Sequence, residues 1–513
     1  MRLSTKHASQ QTISFKDFSG GLNTTKSTES IAQNELSRAL NVCLDKSTGL
    51  LRTVQGTDEV VRDDEVTFDV LIIDPATGEM LITDTANNLY AVWMQETSES
   101  WESEFVAVKI GSLTGSQRAK WATWEDGLVI ASGGKLQYYH SGSLETISES
   151  PAVCNGVFVR DGRVWTWYND RIHMSGVGDE HNWTHDNNDA SSAQYVDIGY
   201  KDRGTIKGVA TLISDVIIFK DNGHAYHLLG QYPDWEVKSI GRQLGVRNFD
   251  SCLTVGNSVL VLGDGRIQSV DVTQDYGDMK ATSVSHKVEV EIRQISSDVR
   301  MRYVPTEDEV WLIDGDAEFL VYDVQHGAFF SRKYNSPVRD VCTRDGDTFI
   351  LKQHCLAKVS DSYLMNDEEL PMEWEIQAQT LVSYNDLLLK RIYIDTTPLF
   401  DNFVTQKFRI GDVEVEGGMP PTAKYLYHNL AVIPHNGRYL CDTYYFGTPI
   451  TDTSEYLYRN DRYLWRNKTY MRSLKCYRAT MRCVDHRRSI PVTARGFGGV
   501  SLFNQLAYDV VEV

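Results

Sequence analysis

The chain has 513 residues, 41% of them hydrophobic, which is enough to bury a sizeable core at this length. Its net charge of −19 excludes a protein that coats nucleic acid, because phosphate neutralisation needs clustered Lys and Arg. The same charge suits solubility, and it also suits the wall of a conduit along which DNA must slide without being gripped. The opening MRLSTKHASQQTISF has no apolar signal core and no long apolar run follows, so a protein made soluble, with no membrane-spanning helix, is expected. The eight cysteines form no CxxC and read as reduced, mostly buried thiols; Cys476 and Cys483 are close enough in sequence for a disulfide to stay open.

Residues 1–65 read as an N-terminal arm. Gly20-Gly21 marks a turn or a close approach. Ser30 is placed to cap a short helix over Ile31–Val42, whose Ile31, Leu36, Ala39 and Leu40 fall on one helical face. Gly49 ends a turn into a strand over Leu50–Val54.

From residue 66 to 366 the texture changes to short apolar strands separated by Gly, Asp and Asn turns. Seven blocks recur, beginning near Val66, Ala119, Asn155, Ile206, Cys252, Val299 and Val338. Each has an apolar strand, a tight polar turn such as EDG or RDG, a strongly apolar strand, another turn, and a third strand with an aromatic residue. Repeats near forty residues with three or four strands each are the mark of propeller blades. The fold expected is therefore all-β: a β-propeller of six to eight blades, seven favoured. A pair of β-sandwiches is the rival. After residue 366 the rhythm breaks, and residues 367–513 read as a C-terminal β-rich body. It would open with two long strands in MEWEIQAQTLVSYNDLLLKRIYIDT and close with SIPVTARGFGG and VSLFNQLAYDVVEV.

Several phrases resemble the tail nozzle, or tail hub, proteins that stabilise packaged DNA in short-tailed bacteriophages. Phe18–Asn23 (F-x-GGLN), then Ala39–Val42 (ALNV), Gly49 and Arg52 look like their N-terminal arm. Arg160–Trp183, Val216–Trp235, Ser258–Asp271 and Leu320–Tyr334 are similar to their blades, and the closing GGVSLFNQLAYDVVEV to their C-terminal ending. The segment 395–495 matches least. The resemblance implies a structural, non-enzymatic virion protein of the tail, a homo-oligomeric ring of about six copies. The ring would sit below the portal and a head-tail adaptor, with a tail fibre or needle protein as a further partner. It would enclose the channel through which genomic DNA passes, retaining the genome and releasing it on ejection.

The chemical motifs are weak. His181 and His185 form HNWTH, a metal-pair spacing on a helix, but the flanks read as loop. The acidic turns at Asp186–Asp189, Asp275–Asp278, Asp314–Asp316 and Asp345–Asp347 lack EF-hand spacing and read as Asx turns. A carboxylate dyad of the glycosidase kind would leave no local signature. A glycan-binding or glycan-hydrolysing propeller is therefore the rival function, with a distal receptor-binding tail component as a third reading. No sialidase-type box, nucleophile elbow or P-loop occurs. No catalytic residue, metal ligand or cofactor is assigned.

One segment departs from the acidic background. Tyr456–Arg495 holds Arg459, Arg462, Arg466, Lys468, Arg472, Lys475, Arg478, Arg482, Arg487, Arg488 and Arg495 against Asp461 and Asp485, giving +11 − 2 = +9 and leaving −28 elsewhere. Six aromatic residues interleave with them. Arg with Tyr and Trp suits a protein interface, and it suits phosphate contact and base stacking. An intersubunit or adaptor contact is expected first and DNA in the channel second.

Overall fold

The computed structural model describes the backbone of residues 10–27, 30–75, 77–96, 103–199, 201–212, 215–230, 234–272, 279–360, 364–365, 368–379, 387–398, 404–410, 413–419, 425–427, 430–432, 457–458, 463–466, 476–482, 489–497 and 501–512, with side chains within 14–376. The chain forms two compact units: Glu59–Phe319 with Ser336–Val359, and Met1–Asp58 with Leu320–Asn335 and Ser360–Val513.

The propeller has seven blades, as the block count favoured. Five are complete four-stranded antiparallel sheets, with inner strands Phe68–Ile73, Lys120–Trp124, Val157–Arg160, Ile206–Leu212 and Cys252–Val255. The sixth begins with Arg300–Val304, the seventh with Val338–Arg344. Asp161 and Gly162 both have positive φ, 52° and 66°, and Arg160 pairs with Arg163 across them. Asp345 and Gly346 repeat this at 52° and 85°, so these Asp-Gly steps close two-residue hairpins.

The seventh sheet takes its fourth strand from Gly56–Arg62, which follows Cys355–Ser360 in the sheet order. The ring is thus closed by chain that precedes the first blade. The Asp63 amide donates to the His354 carbonyl and the Phe68 amide to the Gln353 carbonyl, fixing this closure. The core lies between blades. Val70, Leu81 and Leu89 of blade one pack with Leu128, Ile130 and Tyr139 of blade two. Trp165, Trp167 and Ile172 of blade three pack with Val216, Ile218 and Leu228 of blade four. Each blade hides an apolar face on its neighbour, which is why no blade is stable alone.

In the other unit, Ser501–Glu512 pairs antiparallel with Gln10–Phe15 and with Leu387–Pro398, and it reaches Leu51–Thr53. The long strands expected at the start and end of the C-terminal body are present as Pro371–Gln379, Leu387–Pro398, Ser489–Phe497 and Ser501–Glu512.

The arm helix expected over 31–42 is corrected. That stretch forms the short strands Glu35–Leu36 and Arg38–Leu40, followed by Val42–Leu44. Arg38–Leu40 pairs with Glu373–Glu375 and lies parallel to Ala328–Lys333. Leu36, Ala39, Leu40, Val42 and Cys43 are all buried, a run that does not follow one helical stripe. Asn41 takes φ 52°, which breaks any helix there, and its side chain bonds the Lys333 and Pro371 carbonyls. Among the described residues the α-helix lies instead at Glu289–Gln294.

Candidate functional site

The inner strands bring together a group of charged side chains near their N-terminal ends. Lys120 opens the inner strand of blade two, and Arg118 lies two residues before it. Asp250 lies two residues before the inner strand of blade five. Arg300 and Arg302 start blade six, Asp340 is the third residue of blade seven's inner strand, and Asp69 is the second of blade one's.

Local backbone explains the aim of these groups. The ladders of blades one and seven shift register between Phe68 and Val70 and between Val338 and Asp340. A bulge re-aims side chains, and the unpaired residues here are Asp69 itself and Arg339, next to Asp340. Asp250 is held by its own segment. The Asp250 amide donates to Asn248 Oδ1 at 2.7 Å, and the Met301 amide donates to the Asp250 carbonyl at 2.8 Å. Asn248 Nδ2 donates to the Ser297 and Val299 carbonyls at 2.8 and 2.9 Å. Arg247 donates to the carbonyls of Ile292 and Ile295 at the C-terminal end of the short helix, where a cation suits the unpaired carbonyls.

Three cations converge on Asp250. Arg118 Nη1 donates to Oδ2 at 2.8 Å, Arg302 Nη1 to Oδ1 at 2.9 Å, and Lys120 Nζ also to Oδ1. The Lys120 ammonium also stands 4.8 Å over the Phe249 ring. Asp340 receives Arg302 Nε at 2.7 Å on one oxygen and the Leu71 amide at 3.1 Å on the other. Arg300 clasps both the side chain and the carbonyl of Asp69. The side chains of Asp250 and Asp340 are 3% and 0% exposed, so these are buried pairs.

The electrostatics follow. Four cations meet three enclosed carboxylates, and the fourth carboxylate, Asp298 on Arg118, is largely exposed, so inside the cluster the positive charge is the less well compensated. Burial, and then Arg302, Arg118 and Arg300, push the Lys120 amine well below the ordinary lysine range. The Asp340 carboxylate works the other way, and the depression prevails. Burial drives the Cys252 thiol up to about 12 and raises Cys342 too, so neither is a ready nucleophile.

This arrangement joins blades one, two, five, six and seven. Every oxygen of Asp250 and Asp340 is engaged, and a general base needs a lone pair open to a substrate proton. What the cluster can do is clamp the ring across its axis. Its sequence signal was slight: charged residues at the head of an otherwise apolar strand, in RAKW, FDSC, RMRY and VRDV.

Four of the basic residues singled out by sequence fall in described strands. Arg466 stands in Tyr463–Arg466, paired with Tyr425. Arg478 and Arg482 stand in Cys476–Arg482, opposite Arg391 and Leu388. Arg495 stands in Ser489–Phe497, opposite Glu373 and Lys407. Arg459, Arg462, Lys468, Arg472, Lys475, Arg487 and Arg488 lie outside the described residues, as does Cys483. HNWTH is an exposed loop: His185 Nδ1 bonds the Ala193 carbonyl at 2.8 Å, and its Nε2 meets Asn187 Oδ1 at 2.9 Å.

No protein-family model and no curated protein matches this chain. Among solved structures it is similar to BamB from Moraxella catarrhalis, at 11% identity and a TM-score of 0.37, over 69% of this chain and 97% of that one. It is also similar to the β-propeller domain of Cps50 (Swd1) from Myceliophteria thermophila, at 9% identity and a TM-score of 0.41, over 59% of this chain and all of that one.

Proposed function

We propose that the chain is a structural, non-enzymatic component of a virion tail: the nozzle ring of a short-tailed bacteriophage. In this reading about six copies form a ring below the head-tail adaptor and enclose the DNA exit channel. The ring retains packaged DNA and lets it pass on ejection. The basic segment 456–495 meets a neighbouring copy or the adaptor, and the acidic remainder gives a wall on which DNA slides.

The observation that carries the reading is the joining of the two chain ends. The phrases that resemble nozzle proteins at the N- and C-termini fall in one unit, and Leu51 and Arg52 pair with Phe503 and Leu502. Gln10–Phe15 pairs with Leu506–Val511 in unbroken register. Phrases 450 residues apart in the chain therefore have a common structural reason to occur together. A clamp whose carboxylates are all engaged also suits a scaffold better than an enzyme.

Native mass spectrometry with negative-stain imaging tests this, on the purified protein and on its mixture with the other virion proteins. A closed ring of about six copies, alone or on an adaptor, is the expected result. A monomer that ignores the virion proteins overturns it.

A further inference from the structure

Blade three carries a second surface with a different chemistry. Its second strand, Arg163–Tyr168, and the next two, Arg171–Met174 and Gln194–Asp197, are held in antiparallel register. One face is buried: Trp165, Trp167, Ile172 and Met174 belong to the core against blade four. On the other face Tyr168, Arg171 and Asp197 lie in one row, with His173 and Tyr195 in the row beside it. Tyr168 is 43% and Tyr195 48% exposed, so this part of the face is open, while Val164 and Thr166 on the same face are buried.

The face is pre-organised. Arg171 Nε and Nη2 donate to the two oxygens of Asp197 at 2.6 and 3.0 Å. The same guanidinium lies 4.3 Å from the centre of the Tyr195 ring. His185 packs edge-on against Tyr195, with centroids 5.7 Å apart. Tyr195 is therefore held by a cation over its ring and by a T-shaped contact with an imidazole. Pleat spacing puts Tyr168 and Tyr195 about 12 Å apart, two strands and one two-residue step away, with Arg171 between them.

We infer that this face of blade three binds a neutral saccharide spanning three pyranose rings, with Tyr195 and Tyr168 as stacking platforms for the first and third and Arg171, Asp197 and His173 as hydroxyl partners. A pyranose ring has a C–H face for an aromatic ring and hydroxyls for planar polar groups, and the grid offers both. Asp197 cancels the charge of Arg171. Burial, and then Arg171, lower the His173 pKa, so the imidazole is neutral at pH 7 and presents one donor and one acceptor. A site without net positive charge does not select phosphate or sulfate, which excludes nucleic acid and acidic glycans. The inference stands independently of the ring reading, since it concerns a single blade.

The test is saturation-transfer NMR on the full chain with maltotriose, cellotriose and triacetylchitotriose as probes, beside a thymidine oligomer of about ten nucleotides. Transfer to the C–H protons of at least one trisaccharide is expected. Tyr195→Ala and Tyr168→Ala should each weaken binding about three- to tenfold, while Tyr195→Phe keeps it. Failure of all three trisaccharides with the wild-type protein overturns the inference, as does binding unchanged in both alanine variants. Transfer to the oligonucleotide but not to the sugars also overturns it.

Discussion

Lys120 and Asp250 are 130 residues apart in sequence and form an ion pair. One belongs to the second blade and the other to the approach to the fifth, three places on in a ring of seven, so the pair spans the axis. The other two cations on Asp250 come from the approach to blade two and from blade six. In most of the propeller each blade rests on its neighbours through apolar contact. Here Lys120 and Arg118 reach Asp250 from a blade that is not its neighbour, and Arg302 of the adjacent blade six meets the same carboxylate.

Asp250→Asn should therefore be costly. It keeps the shape but takes the anion from Lys120 and one of two anions from each of Arg118 and Arg302, and breaking one side of a buried pair costs about 3–5 kcal/mol. Urea unfolding of the purified variant measures this as a lower midpoint. A loss below about 1 kcal/mol would mean that water replaces the carboxylate and that the clamp adds little.

Lys120→Met should behave differently. It removes the cation whose amine is most disfavoured by burial while keeping the apolar stem, so at neutral pH its cost is small or its effect stabilising. The pH dependence gives the sharper readout. The folded-state pKa of Lys120 lies below the unfolded value of 10.5, so between the two the unfolded chain binds more protons. Wild-type stability gains on the variant as pH rises through that window, and the gain is complete above the unfolded value. Urea midpoints of both proteins at about pH 7 and about pH 9.5 decide it. A difference that does not change with pH would mean that the ion pair with Asp250 keeps the amine charged.

The blades were legible because their signals are local. Asp161-Gly162 and Asp345-Gly346 name their own turns, since both positions need positive φ and Asp-Gly supplies it. Apolar runs such as Gly127–Ala131 name the strands between blades. The clamp was not legible, because Arg300 meets Asp69 across 231 residues and no local pattern encodes that meeting. The closing strand Gly56–Arg62 was missed for a related reason. With Asp58, Glu59 and Arg62 among seven residues, it reads as polar linker, and only pairing beside Cys355–Ser360 makes it a strand. The arm misled because short, fully buried strands place apolar residues at helical spacing by chance, as at Ile31, Leu36, Ala39 and Leu40. The basic segment was visible as composition, but composition does not place a side chain.

Gly156 tests how tightly the blades are packed. It precedes the inner strand of blade three, and a Cβ there would overlap the Trp167 ring. The backbone cannot retreat: the Asn155 amide donates to the Trp167 carbonyl at 3.0 Å, and Thr166 Oγ1 donates to the Gly156 carbonyl at 2.7 Å. Gly156→Ala should cost about 1–3 kcal/mol through overpacking. Trp167→Phe frees the space and removes a buried indole N–H that has no acceptor among the described residues. The double variant should then be more stable than the sum of the single changes predicts, by about 1 kcal/mol or more, because the two sites share one contact. Thermal or urea unfolding of the four proteins gives the coupling directly. Strict additivity would mean that blade three yields by moving its backbone, and that the fit between Gly156 and Trp167 is looser than their packing indicates.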